Sequence, residues 1–425
     1  MLKTVLAILL GKSIFTLSRI LKLGGGYAAP GLYSLKVEPD LITKLVDHQS
    51  KNIVITGTNG KTTTAKLISH FLKSSDNKVI RNSSGSNLER GIASYLVSHA
   101  SLIGNLDYDF GVWELDEFAF NSVAPKIKPD VVILLNAFRD QLDRYGEVDN
   151  VIQKWKQTLG KLSDKTILII NQDDSTLDKA AESFKGRIIR IGLKGSQIVG
   201  EGQTKTTEKP DYQAEILNSS TLEETMVQIG FNGAHLDFQL PLPGVFNAYN
   251  FLASFTLAYL LNIDPRFIKD SLKTFKSSFG RFEKFKIGDK EGNIFLIKNP
   301  VGATQVLQTI LPHLTSNDTL FLALNDNFAD GTDVSWIWDA EFEMLKKRGV
   351  TPKFISSGSR AADMALRLKY ADIEEITVEP DLIKAFDKAL VKSEGKLFIL
   401  PTYTALIELQ KILVAKGIKK EYWKE

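Results

Sequence analysis

Short apolar, β-branched runs recur along the chain, and a stretch with helical spacing follows each one. Ile53-Val54-Ile55, Val112-Trp113, Val131 to Leu135 and Ile167 to Ile170 contain no polar position. Strands buried on both faces read this way. Leu67, Ile68, Phe71 and Leu72 then fall on one face of a helix. The alternation predicts an α/β fold with a mostly parallel sheet covered by helices on both sides. The polar stretch Gly195 to Pro210 (GSQIVGEGQTKTTEKP) breaks it and reads as a loop or a hairpin edge. Helical spacing returns from Asn247 to Leu260. Between Lys284 and Gly292 the chain turns polar again, and a domain boundary is expected there. A second strand-and-helix series follows in Ile294-Phe295-Leu296-Ile297, Leu320 to Leu324, Phe354-Ile355 and Leu397 to Leu400. It predicts a smaller, Rossmann-like α/β domain. The expected division is an N-terminal helical segment (1–45), a central domain (46–288) and a C-terminal domain (289–425).

The first segment carries an apolar run, Val5 to Leu10, between Lys3 and Lys12. A signal peptide needs a longer run and a small-residue cleavage site. A spanning helix needs about 20 apolar residues, and Lys12 and Arg19 interrupt. Two readings remain: a basic amphipathic helix resting on a membrane surface, or a helix packed on the body of the protein.

Composition narrows the chemistry. The net charge of +3 over 425 residues is too close to balance to indicate nucleic acid as a partner. Cysteine is absent, which excludes disulfides, cysteine-bound zinc and a thiol nucleophile on this chain. None of the five histidines (His48, His70, His99, His235, His313) stands in a metal-ligand spacing, and each is expected to be a surface or packing residue.

The strongest local signal runs from Ile53 through Gly57-Thr58-Asn59-Gly60-Lys61-Thr62-Thr63. A buried strand enters a glycine-bearing turn, and Lys-Thr-Thr opens a helix. Gly57 and Gly60 let backbone N–H groups curl toward a phosphate, and the helix N-terminus adds its positive end. Lys61 would neutralise the β- and γ-phosphates, and the Thr62 hydroxyl can ligate Mg²⁺. The spacing, GxxGKT, is two residues shorter than the commonest phosphate loop. The bland alternative is a tight turn that happens to hold a lysine.

Carboxylates and amides gather at the ends of the next strands. Glu114 ends one, followed by Asp116 and Glu117, and is placed to share Mg²⁺ with Thr62; a solvated acidic turn is the other reading. Asn136 ends the strand after it. Asn171-Gln172-Asp173-Asp174 ends a third, with Asn171 and Asp173 as candidate nucleotide contacts. Together they suggest one ligand-binding edge.

GTNGKTT after a strand, Asn171-Gln172-Asp173-Asp174, Gly244-Val245-Phe246-Asn247-Ala248-Tyr249-Asn250 and Gly280-Arg281-Phe282-Glu283 together resemble the Mur ligase superfamily, which joins amino acids to peptidoglycan precursors or glutamates to folates. Within it the chain is most similar to the MurT subfamily. The carriers are Asn82 to Leu88, the run Phe138 to Glu147 (FRDQLDRYGE), the segment Leu324 to Trp336 (LNDNFADGTDVSW), Gly358-Ser359-Arg360-Ala361, Arg367 to Tyr370, and Leu400-Pro401-Thr402-Tyr403-Thr404. The resemblance implies a Mur-type central domain that binds ATP and Mg²⁺. It implies phosphorylation of the α-carboxylate of D-glutamate in the lipid II stem peptide, then displacement of phosphate by ammonia to give D-isoglutamine. The ammonia would come from a GatD-like class I glutaminase whose nucleophile is a cysteine, which this chain cannot supply. A cytoplasmic enzyme at the inner membrane face is implied too.

Carried over residue by residue, Gly57, Asn59, Gly60, Lys61 and Thr62 match the phosphate loop and Glu114 the magnesium carboxylate. Asn247 and Asn250 match positions facing the nucleotide, and Arg281 an arginine near the phosphates. Asp333 matches an aspartate that orients the partner's catalytic histidine; a turn-capping role is the alternative, and Asp326, Asp330 and Asp339 are competitors. Many MurT chains carry a four-cysteine zinc ribbon in the central domain. It is missing here, so no zinc is expected. Ordinary Mur ligases carry an acidic or histidine-bearing motif before Asn-Pro, where this chain has Ile297-Lys298-Asn299-Pro300. That departure points away from an amino acid nucleophile. The competing readings are a ligase that adds an amino acid and a non-catalytic nucleotide-binding scaffold.

Overall fold

A computed structural model describes residues 2–20, 28–82, 86–138, 148–195, 209–218, 221–276 and 280–419. Most of the Phe138 to Glu147 run and of the polar Gly195 to Pro210 stretch lie outside the described residues.

Nine strands form the first sheet: β1 (Lys51–Thr56), β2 (Val79–Arg81), β3 (Phe110–Glu114), β4 (Val131–Leu134), β5 (Ile167–Asn171), β6 (Arg187–Leu193), β7 (Tyr212–Asn218), β8 (Thr225–Phe231) and β9 (Ala234–Leu240). Their order is β2-β3-β1-β4-β5-β6-β7-β8-β9. Pairing is parallel from β2 to β7 and antiparallel from β7 to β9. Alternation along β1 sends Ile53 and Ile55 to one face and Val54 to the other. The first face packs on helices Lys61–Ser74, Val245–Leu260 and Pro265–Leu272. The second packs on helices Glu89–His99, Ala119–Ile127 and Val148–Leu159. With apolar layers on both sides, the central strands carry the unbroken runs seen in the sequence.

The second sheet has six strands: β10 (Arg281–Ile287), β11 (Lys290–Phe295), β12 (Thr319–Ala323), β13 (Lys353–Ser357), β14 (Ile376–Val378) and β15 (Leu397–Pro401), in the order β10-β11-β15-β12-β13-β14. Only β10 and β11 pair antiparallel. The expected boundary at 288/289 falls in the turn of this hairpin, at Gly288 (φ 57°), and both of its strands belong to the second sheet. The stretch reads as polar because an edge hairpin keeps one face in water.

The N-terminal helix Leu2–Ile20 packs by one face only. Ala7, Ile8 and Gly11 are buried. A Cβ on Gly11 would lie 2.4 Å from Ser34 Oγ and 2.6 Å from Val97 Cγ1, so glycine sets the close approach of three helices. Among the described residues no helix is long and apolar enough to cross a membrane.

Candidate active site

The phosphate loop leaves β1 and folds back over β4. Gly57 (φ 141°) and Gly60 (φ 92°) both hold the positive φ that L side chains resist. Space is closed at Gly60 as well, where a Cβ would come within 2.1 Å of Asn250 Oδ1. The loop is braced from the end of β4. Asn136 O accepts from Thr58 N (3.1 Å), Asn136 Oδ1 accepts from Asn59 N (2.8 Å), and Asn136 Nδ2 donates to Asn59 O (3.0 Å). Phe138 N donates to Thr58 Oγ1 at 3.0 Å. Asn136, expected at the nucleotide, is thus the brace of the loop, and Thr58 is latched by the same strand end.

Lys61 is buried where the helix Lys61–Ser74 begins. Its ammonium donates to Gly57 O and Thr58 O (3.2 Å) within the loop it would serve, and to Glu117 Oε2 (3.1 Å) beyond the end of β3. Glu117 was not singled out by sequence reasoning. Its pairing with Lys61 spans 56 residues and no local motif announces it. Thr62 Oγ1 donates to Glu114 Oε1 at 2.8 Å. Asn82 clamps the end of β3, accepting from Glu114 N (2.8 Å) and donating to Glu114 O (2.9 Å).

Two charged atoms here are buried without a hydrogen-bond partner among the described residues: Glu114 Oε2 and Arg81 Nη1. In the β2–β3 register Arg81 pairs with Val112, two positions before Glu114, so strand alternation puts all three on the face of the Lys61–Ser74 helix. Burial pushes the Arg81 guanidinium pKa down, and the Glu114 carboxylate opposes that shift. An orphaned carboxylate oxygen beside a hydroxyl at a helix start suits Mg²⁺, which takes one or two protein ligands and fills its octahedron with phosphate oxygens and water.

Asn59, Gly60 and Thr63 line one wall of an open cleft between the two sheets. Asn247 and Asn250, on the helix Val245–Leu260, line it too, with Phe282, Lys298 and Gln305 opposite. Gln305 Oε1 is buried there without a partner among the described residues. Asn59 and Asn299 bond amide to amide across the sheets. Asn299 was named from the sequence only as part of the Ile297-Lys298-Asn299-Pro300 motif, and Gln305 was not named. Asn171 and Asp173 do not reach this cleft. Asn171 Oδ1 accepts from Asp173 N (3.1 Å), while Asp173 Oδ2 accepts from Leu193 N (2.8 Å) and Tyr249 OH (2.5 Å), tying β6 to the helix above it. The Arg281 backbone starts β10, and its side chain lies outside the described residues.

In the second domain, Asp333 is exposed and accepts from Ser335 N (2.8 Å), capping the 3-10 turn Ser335–Trp338. Asp330 is buried and accepts from Thr404 N (2.7 Å) and Thr404 Oγ1 (2.5 Å), and burial pushes its carboxyl pKa up. Asp326 accepts from Ser359 Oγ at 2.8 Å.

Comparison with known proteins agrees with this architecture. Residues 55–258 match the Mur ligase middle domain and residues 296–406 the MurT ligase C-terminal domain. The chain is 32% identical to the lipid II isoglutaminyl synthase (glutamine-hydrolyzing) subunit MurT of Staphylococcus aureus strain COL, covering 90% of this chain and 91% of that one. It is 32% identical to the subunit of the same name from Streptococcus pneumoniae, covering 99% of each. Among solved structures, the MurF ligase of Thermotoga maritima in complex with ADP superposes with a TM-score of 0.69 at 15% identity, over 90% of this chain and 83% of that one. Escherichia coli FolC in complex with DHPP and ADP gives 0.64 at 14%, over 89% and 92%. These two share the fold. By its identity to the first two over nearly its whole length, the chain belongs to the MurT family of Mur ligases.

Proposed function

We propose that the chain is the ATP-using subunit of a lipid II isoglutaminyl synthase in peptidoglycan synthesis. It transfers the γ-phosphoryl group of ATP to an oxygen of the D-glutamate α-carboxylate. Ammonia then attacks the carbonyl carbon of the acyl phosphate, the C–O bond to phosphate breaks, and inorganic phosphate leaves with D-isoglutamine formed. The observation that carries this reading is the convergence of Lys61, Thr62 and the half-unpartnered Glu114 at one strand-to-helix turn. Lys61 exchanges its loop carbonyls for phosphate oxygens and stabilises charge on the group in transfer. Thr62 and Glu114 would hold Mg²⁺, which would neutralise the phosphate oxygens when bound. Gly57, Gly60 and the helix start cradle the phosphates. Thr63, Asn247 and Asn250 bound the nucleotide cleft, and Arg281 serves the phosphates.

A separate glutaminase of the GatD type supplies ammonia. Glutamine hydrolysis by a class I glutaminase needs a thiol, and this chain has none. Phe328 (76% exposed) and Trp338 (46% exposed, in the turn capped by Asp333) offer the aromatic anchors typical of a protein interface. Asp333 orients the histidine of the partner's catalytic pair. The work is done at the cytoplasmic face of the membrane, where the lipid-linked substrate is presented.

The test is trapping. With MgATP, lipid II and hydroxylamine in place of ammonia, the purified chain should release ADP and form a hydroxamate in equal amounts. Lys61→Met strands the buried Glu117, so the double variant with Glu117→Gln is the fair control, and it should bind lipid II yet form neither product. Hydroxamate formation without ATP, or ADP release unchanged in the double variant, would refute the assignment.

A further inference from the structure

The outer face of the N-terminal helix carries apolar side chains with nothing among the described residues packed on them. Leu2, Leu6, Leu9, Leu10, Leu17 and Ile20 are 75, 50, 43, 38, 55 and 71% exposed. At 3.6 residues per turn they fall within an arc of roughly 100°, opposite the buried Ala7, Ile8 and Gly11. Ser13 and Thr16 share the arc, and the Thr16 hydroxyl is satisfied by Lys12 O at 2.9 Å. Lys3 lies on one side of the stripe, and Lys12 and Arg19 on the other. The helix has no acidic residue.

We propose that this stripe is a membrane-docking surface, seated at the headgroup level of an anionic bilayer with the helix axis in the plane of the membrane. Three observations choose this occupant. Cations flanking an apolar stripe without a single carboxylate are the pattern of an interfacial helix, whose basic side chains reach back to lipid headgroups. A second copy of the chain fits poorly. A helix of 19 residues is about 28 Å long and its stripe covers roughly 300 Å², against about 800 Å² per partner in a stable interface. Insertion across the bilayer is excluded for this helix by its hydropathy. Because the other face is packed against helices Ala29–Val37 and Glu89–His99, docking the stripe fixes the orientation of the central domain against the membrane that carries a lipid-linked substrate. The inference deepens the proposed function, yet its test requires no turnover, so either can fail alone.

The experiment is sedimentation of the full chain with vesicles of equimolar phosphatidylcholine and phosphatidylglycerol, and with phosphatidylcholine alone. The chain should sediment with the anionic vesicles and weakly with the neutral ones. Leu6→Glu with Leu17→Glu, both at exposed helical positions, should lower the bound fraction at least roughly tenfold while ADP affinity and helicity stay unchanged. Lys3→Gln with Arg19→Gln should weaken binding to the anionic vesicles only. No sedimentation of the unmodified chain, or equal binding by the leucine variant, would overturn the proposal. So would a leucine variant whose defect is loss of a dimer or of the glutaminase rather than of vesicle binding.

Discussion

Asn59 and Asn299 exchange two amide hydrogen bonds across 240 residues of chain, Asn59 Nδ2 to Asn299 Oδ1 at 3.3 Å and Asn299 Nδ2 to Asn59 Oδ1 at 3.2 Å. Asn299 also caps the helix Pro300–Ile310, its Oδ1 accepting from Gly302 N at 2.7 Å. The phosphate loop of the first domain is therefore fastened to the first helix start of the second.

Two substitutions at Asn299 separate these roles. Asn299→Ala removes the cap and leaves the buried Asn59 amide unpaired, and should lower stability by about 2–4 kcal/mol. Asn299→Asp keeps an acceptor for Gly302 N but cannot donate to Asn59, and should recover about 1 kcal/mol of that loss. Denaturant unfolding measures both. Equal stability of Asn299→Asp and the unmodified chain would mean that the bond donated by Asn299 to Asn59 contributes nothing.

Gly60 and Asn250 are coupled by space. Alanine at 60 meets Asn250 Oδ1 and adopts a left-handed backbone. Gly60→Ala should destabilise the fold by at least about 1–2 kcal/mol from the backbone alone, with the clash added. Asn250→Ala in the same chain should restore the clash component but not the backbone component. A double-mutant cycle with no interaction energy would count against the close approach.

The parts of this fold legible in the sequence are those whose signal is local. Ile53 to Ile55, Val131 to Leu135 and Leu397 to Leu400 read as strands because both their faces are buried, so no polar residue interrupts them. The meander β7–β9 went unread. Its strands alternate, β8 burying Thr225, Val227, Ile229 and Phe231 and leaving the residues between partly exposed, and its turn at Asn232-Gly233 (φ 47° and 78°) is the hairpin signal that was overlooked. At the site, Lys61, Thr62 and Glu114 were found because a motif or a strand end marks them. Glu117, Asn82, Arg81, Asn299 and Gln305 were not, since each earns its place through a neighbour far away in sequence. Asn136 shows the converse: its strand-end position was read correctly, and tertiary packing turned it toward the loop backbone.

Glu114→Gln should isolate the metal. The amide oxygen still accepts from Thr62 Oγ1, so the turn keeps its shape, while the negative charge beside the unpartnered oxygen is lost. The Mg²⁺ concentration for half-maximal ADP release should rise on the order of tenfold or more, with binding of metal-free ADP little changed. An unaltered Mg²⁺ requirement would remove Glu114 from the ligand set.

Gln305 offers the cleft a buried acceptor with no partner among the described residues. An adenine exocyclic amine can satisfy it and a guanine carbonyl cannot. Gln305→Leu should weaken ATP binding by about three- to tenfold, the worth of one neutral hydrogen bond of about 0.5–1.5 kcal/mol, and leave GTP binding unchanged. Calorimetric titration with both nucleotides decides it. Equal losses for the two would indicate a packing role.

Asp330 and Asp333 compete for the role of orienting the partner's histidine, and their surroundings predict opposite behaviour. Asp330 spends both oxygens on Thr404, inside the domain, and its raised pKa reflects burial rather than a waiting cation. Asp330→Asn should thus loosen the contact between the segment after β12 and the helix Tyr403–Ala415, lowering thermal stability and partner affinity together. Asp333 stands in solvent at the mouth of a turn, and an asparagine there can still accept from Ser335 N. Asp333→Asn should leave folding and complex formation intact. Glutamine hydrolysis in the complex should nevertheless fall by on the order of 10²–10⁴, the range set by loss of an orienting carboxylate, while amidation driven by added ammonium persists. A full glutaminase rate in Asp333→Asn, or a defect in ammonium-driven amidation as large as in glutamine-driven, would take the carboxylate out of that role and leave it a turn cap.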